Sequence, residues 1–277
     1  MDMTAEEIAR LCPPRQGLPL SRGRISYREA GSGDALVFLH GLLGGAASWA
    51  LQFAAFRGRF RVIAWDAPGF GASDPVGTAA DTFADVLAEF LDALGAKAPT
   101  LVGHSMGGVV AARCAFRHPD RAARLILSCS HAGYGEGEDA PPRPRFLERL
   151  AELERLGAAA YGRVRARGLL GDDAPQGLLD FAATIAAEVD AEGMAQANRM
   201  LQLADNRSCL PRLRLPRLVI GGERDRVVAP ALKAELAALT PGARRVEIPG
   251  AGHAPYFEAP AAYNAAIGEF IAETSAS

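Results

Sequence analysis

Leu101-Val-Gly103-His104-Ser105-Met106-Gly107-Gly108 decides how the rest of the chain is read. Thr100–Gly103 has the short apolar make-up of a buried strand, and Met106–His118 has the period of a helix. The pattern G-x-S-x-G therefore sits on a strand-to-helix turn. So sharp a turn puts Ser105 in a strained conformation with its hydroxyl exposed, and glycines two residues before and after it let the backbones approach. The helix starting at Met106 offers a free N–H and the positive end of its dipole beside that hydroxyl. A nucleophile is the reading; a glycine-rich turn that merely ends a strand is the bland alternative, and Gly108 with the flanking elements weighs against it.

Outward from this turn, short β-branched runs alternate with Ala/Leu-rich helical stretches, the rhythm of parallel βαβ units. Strands are expected at Arg24–Glu29, Ala35–His40, Arg61–Trp65, Thr100–Gly103, Arg124–Ser128, Arg217–Gly221 and Arg244–Ile248. Helices are expected at Ala47–Phe56, Thr82–Leu94, Met106–His118, Ala231–Leu239 and Pro260–Glu273, with Asp81 capping the second and Gly95 ending it. The fold class is α/β: a mostly parallel central sheet with helices on both faces. The rhythm breaks from His131 to Asn206, where the loop AGYGEGEDAPPRPR leads into three or four helical stretches without a strand. Residues 1–130 and 207–277 thus read as the core, and 131–206 as a helical insertion.

A serine nucleophile needs a base, and the base an orienting acid. His253, in Pro249-Gly-Ala-Gly252-His253, follows the last core strand and is the favoured base. His104 is expected to point away from Ser105, His118 to cap a helix end, His40 to buttress its loop, and His131 to line the pocket as a substrate contact. Asp225, just past a strand in Gly-Gly-Glu-Arg-Asp225, gives the order Ser…Asp…His and is the favoured acid. Asp66 and Glu223 are its rivals, with turn chemistry and a solvated loop charge as their plainer readings. The loop His40-Gly41-Leu42-Leu43-Gly44-Gly45 can turn an N–H into the site, Leu42 first and Leu43 second, to join the Met106 N–H in an oxyanion hole.

The formal charge of -2, from 30 basic and 32 acidic residues, speaks against nucleic acid or an anionic membrane as partner. No apolar run reaches the ~18 residues of a membrane helix, and Met1–Arg10 lacks the pattern of a secretory signal. Cys12, Cys114, Cys129 and Cys209 form no C-x-x-C pair, which fits reduced thiols in a cytoplasmic protein. No metal-ligand spacing or phosphate loop is present, so the chemistry is expected to need no metal or cofactor. Lys97 and Lys233 are the only lysines. With arginine so abundant, the insertion's Arg143, Arg145, Arg163, Arg165 and Arg167 read first as surface charge and second as anchors for a substrate carboxylate.

Together, the HG-LLGG loop, DAPGFGASD, GHSMGG, GERD and IPGAGHAPYFEAP, in that order along the chain, resemble the α/β-hydrolase fold enzymes. The resemblance implies Ser105 as nucleophile, Asp225 as acid, His253 as base, Leu42 and Met106 as oxyanion donors, and a cap or lid at 131–206. Ser-Met-Gly-Gly and the short Asp-to-His connection are similar to 3-oxoadipate enol-lactonases and neighbouring carboxylic ester hydrolases. They also resemble the carbon–carbon hydrolases of aromatic ring-cleavage products. In those, Asn or a small residue more often stands at position 104, and the oxyanion loop holds a Pro that is missing at Leu43–Gly45. Haloalkane dehalogenases and epoxide hydrolases carry an aspartate where Ser105 stands. The expected activity is acyl transfer to water on a small neutral or mildly acidic ester or lactone. Carbon–carbon hydrolysis and a catalytically silent binding protein are the alternatives, and a homo-oligomer stays open.

Overall fold

A computed structural model describes residues 3–170 and 173–275. Met1 and Asp2 of the N-terminal segment, Gly171 and Asp172 of the insertion, and Ala276 and Ser277 lie outside the described residues. The strands are β1 (Arg15–Leu20), β2 (Gly23–Ala30), β3 (Ala35–Leu39), β4 (Arg61–Trp65), β5 (Thr100–His104), β6 (Arg124–Ser128), β7 (Arg217–Gly222) and β8 (Arg244–Ile248). They form one 8-stranded sheet in the order β1-β2-β4-β3-β5-β6-β7-β8. From β4 to β8 every neighbour is parallel, while β1 and β2 pair antiparallel at one edge and β2 meets β4 antiparallel.

The helices are α1 (Ala5–Ala9), α2 (Ala50–Phe56), α3 (Ala80–Ala93), α4 (Met106–Arg117), α5 (Pro144–Leu156), α6 (Ala158–Leu169), α7 (Gln176–Ala186), α8 (Ala191–Leu203), α9 (Pro230–Leu239), α10 (Pro255–Glu258) and α11 (Pro260–Ser275). Strand residues alternate between two apolar layers, as a period of two requires. Leu36 and Phe38 of β3 pack with α2 and α11, and Val37 and Leu39 with α3 and α4. Both faces are therefore covered, which is why the central strands carry almost no polar residue.

β1 was not among the expected strands. Gly17 and Pro19 interrupt its apolar pattern, and both are tolerated because the strand lies on the sheet edge and pairs only with β2. Asp81 does not cap α3: Ala79 holds the N-cap position, and Asp81 lies within the first turn. There it pairs with Arg113 and Arg117 of α4, so a tertiary ion pair wins over the local capping preference. Gly95 ends α3 as expected, with φ 62° and the 6→1 bond from Ala96 N–H to Leu91 C=O at 2.9 Å.

Between β6 and β7 the chain runs through α5–α8. These helices share the two apolar layers with the sheet: Phe181 and Ile185 of α7 join one, Met194 and Met200 of α8 the other. Gln196 of α8 ties them to the loop after β4 through Pro68 C=O and the Val76 and Gly77 N–H groups, at 2.7–2.8 Å. No helix among the described residues is long and apolar enough to cross a membrane.

The order of strands fixes where a ligand goes. The chain leaves β3 towards β4 on one side and comes back to β5 on the other, so the crevice beyond the ends of β3 and β5 is a topological switch point. Two loops meet there: His40–Gly45 after β3 and the turn at Ser105 after β5.

Candidate active site

Ser105 has φ 50° and ψ −113°, a conformation that costs a non-glycine residue about 1–3 kcal/mol. The turn is held from both ends. The Ser105 N–H donates to Ser128 C=O at 2.9 Å, and its own C=O accepts from the Ser130 hydroxyl at 2.7 Å and the Gly108 N–H at 3.0 Å. The flanking glycines are required by contact: a Cβ at Gly103 would lie 2.4 Å from Gly107 C=O, and one at Gly107 would lie 2.1 Å from Leu39 C=O. With the backbone pinned, the side chain is what remains free to face the crevice.

His253 lies between β8 and α10. Its Nδ1 hydrogen-bonds Asp225 Oδ1 at 3.1 Å, with both side chains withdrawn from solvent. An ionised carboxylate only accepts, so Nδ1 is the donor of this bond, and in the neutral ring the lone pair is on Nε2. The same Oδ1 accepts the Val227 and Val228 N–H groups at 2.8 and 3.3 Å. Burial pushes the Asp225 carboxyl up. The His253 hydrogen bond and charge, the Val227 N–H and Lys233 outweigh it, and the net result is a pKa of about 2. Lys233 also donates to the Asp225 carbonyl at 2.8 Å.

Sequence reasoning missed the part played by His104. Expected to point away from the serine, its ring is packed on that of His253 at 4.7 Å, and its Nε2 donates to the His253 carbonyl at 2.9 Å. Burial, then the nearby His253, pushes its pKa down to about 3. On the far side Tyr256 packs on His104 at 4.9 Å and on Trp49 at 4.7 Å, linking the His253 loop to the core. A histidine directly before the serine was the available signal, but the separation of 149 positions between His104 and His253 hid the contact.

His40 buttresses its loop as expected. Nδ1 donates to Gly41 C=O at 2.7 Å, and Nε2 accepts the Ala67 N–H at 2.8 Å. The loop passes over the turn so closely that a Cβ at Gly41 would lie 3.2 Å from Ser105 Cβ. Among the described residues the N–H groups of Leu42, Leu43 and Met106 make no hydrogen bond. Asp66, the rival acid, is buried away from the crevice, bonded to the Ala46 N–H at 2.7 Å, to Ser26 Oγ at 2.6 Å and to Arg15. Glu223 accepts the Gly250 N–H at 2.7 Å, and His118 pairs with Asp85 at 2.8 Å on the surface.

Ser105, His253, His104, His131 and the Gly41–Gly44 loop line one cavity of about 210 Å³. That is below the ~300 Å³ at which drug-sized pockets begin, and it suits a small substrate. His131 accepts the Gly133 N–H on Nδ1 at 3.0 Å, and burial pushes its pKa down to about 4. From the insertion, Tyr134, Phe146, Leu169 and Leu201 reach the wall, as do Arg145, Arg149 and Arg165. Arg149 and, after Asp225, Arg226 escaped the sequence reading. Their signal was the spacing of Arg145 and Arg149 on one face of an amphipathic helix. Of the other insertion arginines, Arg143 pairs with Glu136, and Arg163 and Arg167 are exposed. Cys129 brings its sulfur to the Asp225–His253 pair, all three donor atoms lying within 4.8 Å, a set of metal-ligating types that sequence spacing did not reveal.

The family model described as alpha/beta hydrolase fold matches residues 34–260. The chain is 32% identical over 268 residues to a polyketide synthase of Burkholderia thailandensis, covering 91% of this chain and 12% of that protein. It is 29% identical over 254 residues to the dihydrolipoyllysine-residue acetyltransferase component of the acetoin cleaving system of Cupriavidus necator, covering 88% of this chain and 65% of that one. It thus spans only part of either relative. A 2-hydroxy-6-oxononadienedioate/2-hydroxy-6-oxononatrienedioate hydrolase of Burkholderia vietnamiensis is 39% identical over 140 residues, 48% of each chain. Among solved structures, the enol-lactonase of Burkholderia xenovorans superposes with TM-score 0.82 at 26% identity, covering 93% of this chain and 100% of its own. A thermophilic esterase of Thermogutta terrifontis reaches 0.80 at 27% identity, covering 94% and 99%.

Proposed function

The chain belongs to the α/β-hydrolase fold family, and from that premise we propose that it is a serine hydrolase cleaving a small carboxylic ester or lactone through an acyl-enzyme. Ser105 is the nucleophile. His253 Nε2 takes the Ser105 proton as the hydroxyl attacks the carbonyl carbon, and Asp225 holds the imidazole and stabilises its cation. The oxyanion develops against the Met106 and Leu42 N–H groups, with Leu43 the alternative second donor. His253 gives its proton to the leaving oxygen, then activates a water that releases the acid and restores Ser105. Helices α5–α8 act as the cap that shapes the substrate cavity. The four scattered free cysteines fit a reducing, cytoplasmic setting.

What carries this reading is the Asp225–His253 hydrogen bond of 3.1 Å opening onto the cavity that Ser105 shares. Its test is hydrolysis of p-nitrophenyl acetate together with labelling by a fluorophosphonate. Ser105→Ala is expected to lower kcat on the order of 10⁴-fold and to abolish labelling. An unlabelled wild type without turnover would mean a silent binding protein. Carbon–carbon hydrolysis of a vinylogous diketone is a second reading, favoured by the likeness to the Burkholderia vietnamiensis hydrolase over 140 residues. Esters, lactones and ring-cleavage diketones assayed side by side decide between the two.

A further inference from the structure

Cys129 is the first residue after β6 and has φ 43°, in the left-handed region, at a cost of about 1–3 kcal/mol for a residue with a side chain. Its N–H donates to Ile220 C=O at 2.8 Å, which pins this conformation, and its side chain is buried. The turn carries the sulfur to the acid and base of the site. Cys129 Sγ, a carboxylate oxygen of Asp225 and a ring nitrogen of His253 all lie within 4.8 Å of one another. The proposed hydrolysis gives that sulfur no task. It also leaves half of the Asp225 carboxylate unused. Oδ1 accepts from His253, Val227 and Val228, whereas Oδ2 is buried and accepts no hydrogen bond among the described residues. The Lys233 ammonium stands 3.7 Å from Oδ2, beyond hydrogen-bonding distance, and donates to the Asp225 carbonyl instead.

We propose that Cys129, Asp225 and His253 form a binding site for a soft divalent cation of the zinc class, and that its occupation switches the hydrolysis off. Thiolate, imidazole and carboxylate are the donors that Zn²⁺ takes at about 2.0–2.3 Å, whereas Mg²⁺ and Ca²⁺ ask for oxygen alone. Three donors within 4.8 Å of one another need only a small closing movement to surround one ion. The unused Oδ2 or a water completes the tetrahedron. The charges close as well. Cys129 gives its thiol proton to solvent, so thiolate and carboxylate together balance the two charges of the ion, in a buried place where an excess would be costly. His253 loses no proton overall. The ion takes the Nδ1 lone pair and the ring proton moves to Nε2, the atom that must be free to accept from Ser105. The base is blocked by its own tautomer while the substrate cavity stays open. That the ion inhibits rests on the hydrolase reading of Ser105, Asp225 and His253; that it binds does not.

The test titrates Cd²⁺ into chelator-treated wild-type protein and follows two signals in the same samples: the ultraviolet charge-transfer absorption of a Cd²⁺–thiolate bond, and hydrolysis of p-nitrophenyl acetate. The band is expected to saturate at one ion per chain, the rate to fall in step with it, and a chelator to reverse both. Zn²⁺ should inhibit likewise, and Mg²⁺ at the same concentration should not. Cys129→Ala should abolish the band. It should also raise the Cd²⁺ concentration that halves the variant's own metal-free rate by more than about 100-fold, beyond the 10- to 100-fold that loss of an outer-shell partner costs. Cys129→Gly, which the φ of 43° suits, repeats the measurement if the alanine variant does not fold. His253→Ala should weaken Cd²⁺ binding, read from the band alone, whereas Cys12→Ser and Cys209→Ser should keep both band and inhibition. No band, a band that survives the loss of Cys129 or ignores His253→Ala, or inhibition as strong in Cys129→Ala as in the wild type would each overturn the ion site and leave the hydrolase reading intact. A Cys129-dependent band without loss of rate would overturn the switch. If the wild type cleaves no ester yet shows a band that needs Cys129 and His253, the ion site stands and the hydrolase reading falls. With neither cleavage nor band, both fall.

Discussion

His104→Asn should flatten the acid limb of this protein's stability curve. The buried His104 ring donates Nε2–H to the His253 carbonyl, while Nδ1 has no partner among the described residues. Nδ1 faces Gly41, where a Cβ would lie only 2.7 Å from it. A second proton would therefore point at a wall without an acceptor, next to the ring of His253. Burial and that neighbour hold the folded pKa at about 3, against 6.5 for the free side chain. The folded state thus binds fewer protons than the unfolded one. The contribution is fully present above pH 6.5 and is lost as the pH falls towards 3, with stability rising with pH throughout that window. At pH 5 the unfolded chain has gained ~1.5 units of protonation free energy that the folded chain refuses, a loss of ~2 kcal/mol. For a chain of this size that is a fall in Tm of roughly 4–8 °C between pH 8 and pH 5. Asn lacks the titrating ring, so whatever it costs by losing the stack on His253 is the same at both pH values and cancels in the comparison. Urea unfolding at pH 8 and pH 5 measures the difference. Parallel wild-type and variant curves over this range would refute the assignment of His104 as a buried neutral imidazole.

Other outcomes follow from the same contacts. Asp225→Asn should leave the fold and lower kcat on the order of 10⁴-fold, because an amide donating to Nδ1 drives the His253 proton onto Nε2; p-nitrophenyl acetate turnover measures it. Asp66→Asn should act mainly on stability, costing about 3 kcal/mol in urea unfolding with kcat largely retained, since Asp66 accepts Ala46 N–H and Ser26 Oγ–H, pairs with Arg15 and does not line the cavity.

What could be read from the sequence was local. The turn at Ser105 lies within eight residues that carry strand, glycines and helix together, so no distant contact was needed to recognise it. The central strands were legible for a similar reason: buried on both faces, they spell their burial out in apolar residues. β1 was not, since at an edge half of its hydrogen-bonding groups look outward and Gly17 and Pro19 are allowed there. Asp81 misled because a good capping residue was recruited by Arg113 and Arg117 from another helix. His104 and Arg149 were hidden by the same limit. Each is a polar residue whose meaning is set by what faces it in space, the His253 carbonyl in one case and an acid-free cavity wall in the other.

The charges of the site make sense only when taken together. Three imidazoles, those of His104, His131 and His253, border the cavity, and only His253 has a carboxylate against its ring. Burial keeps His104 and His131 neutral, at about 3 and about 4, so neither opposes a cation on His253. Asp225, at about 2, remains ionised whenever the enzyme is folded and supplies the opposite charge. The proposed mechanism needs that division, since it makes His253 an imidazolium at each tetrahedral step and a second cation 4.7 Å away would raise the barrier.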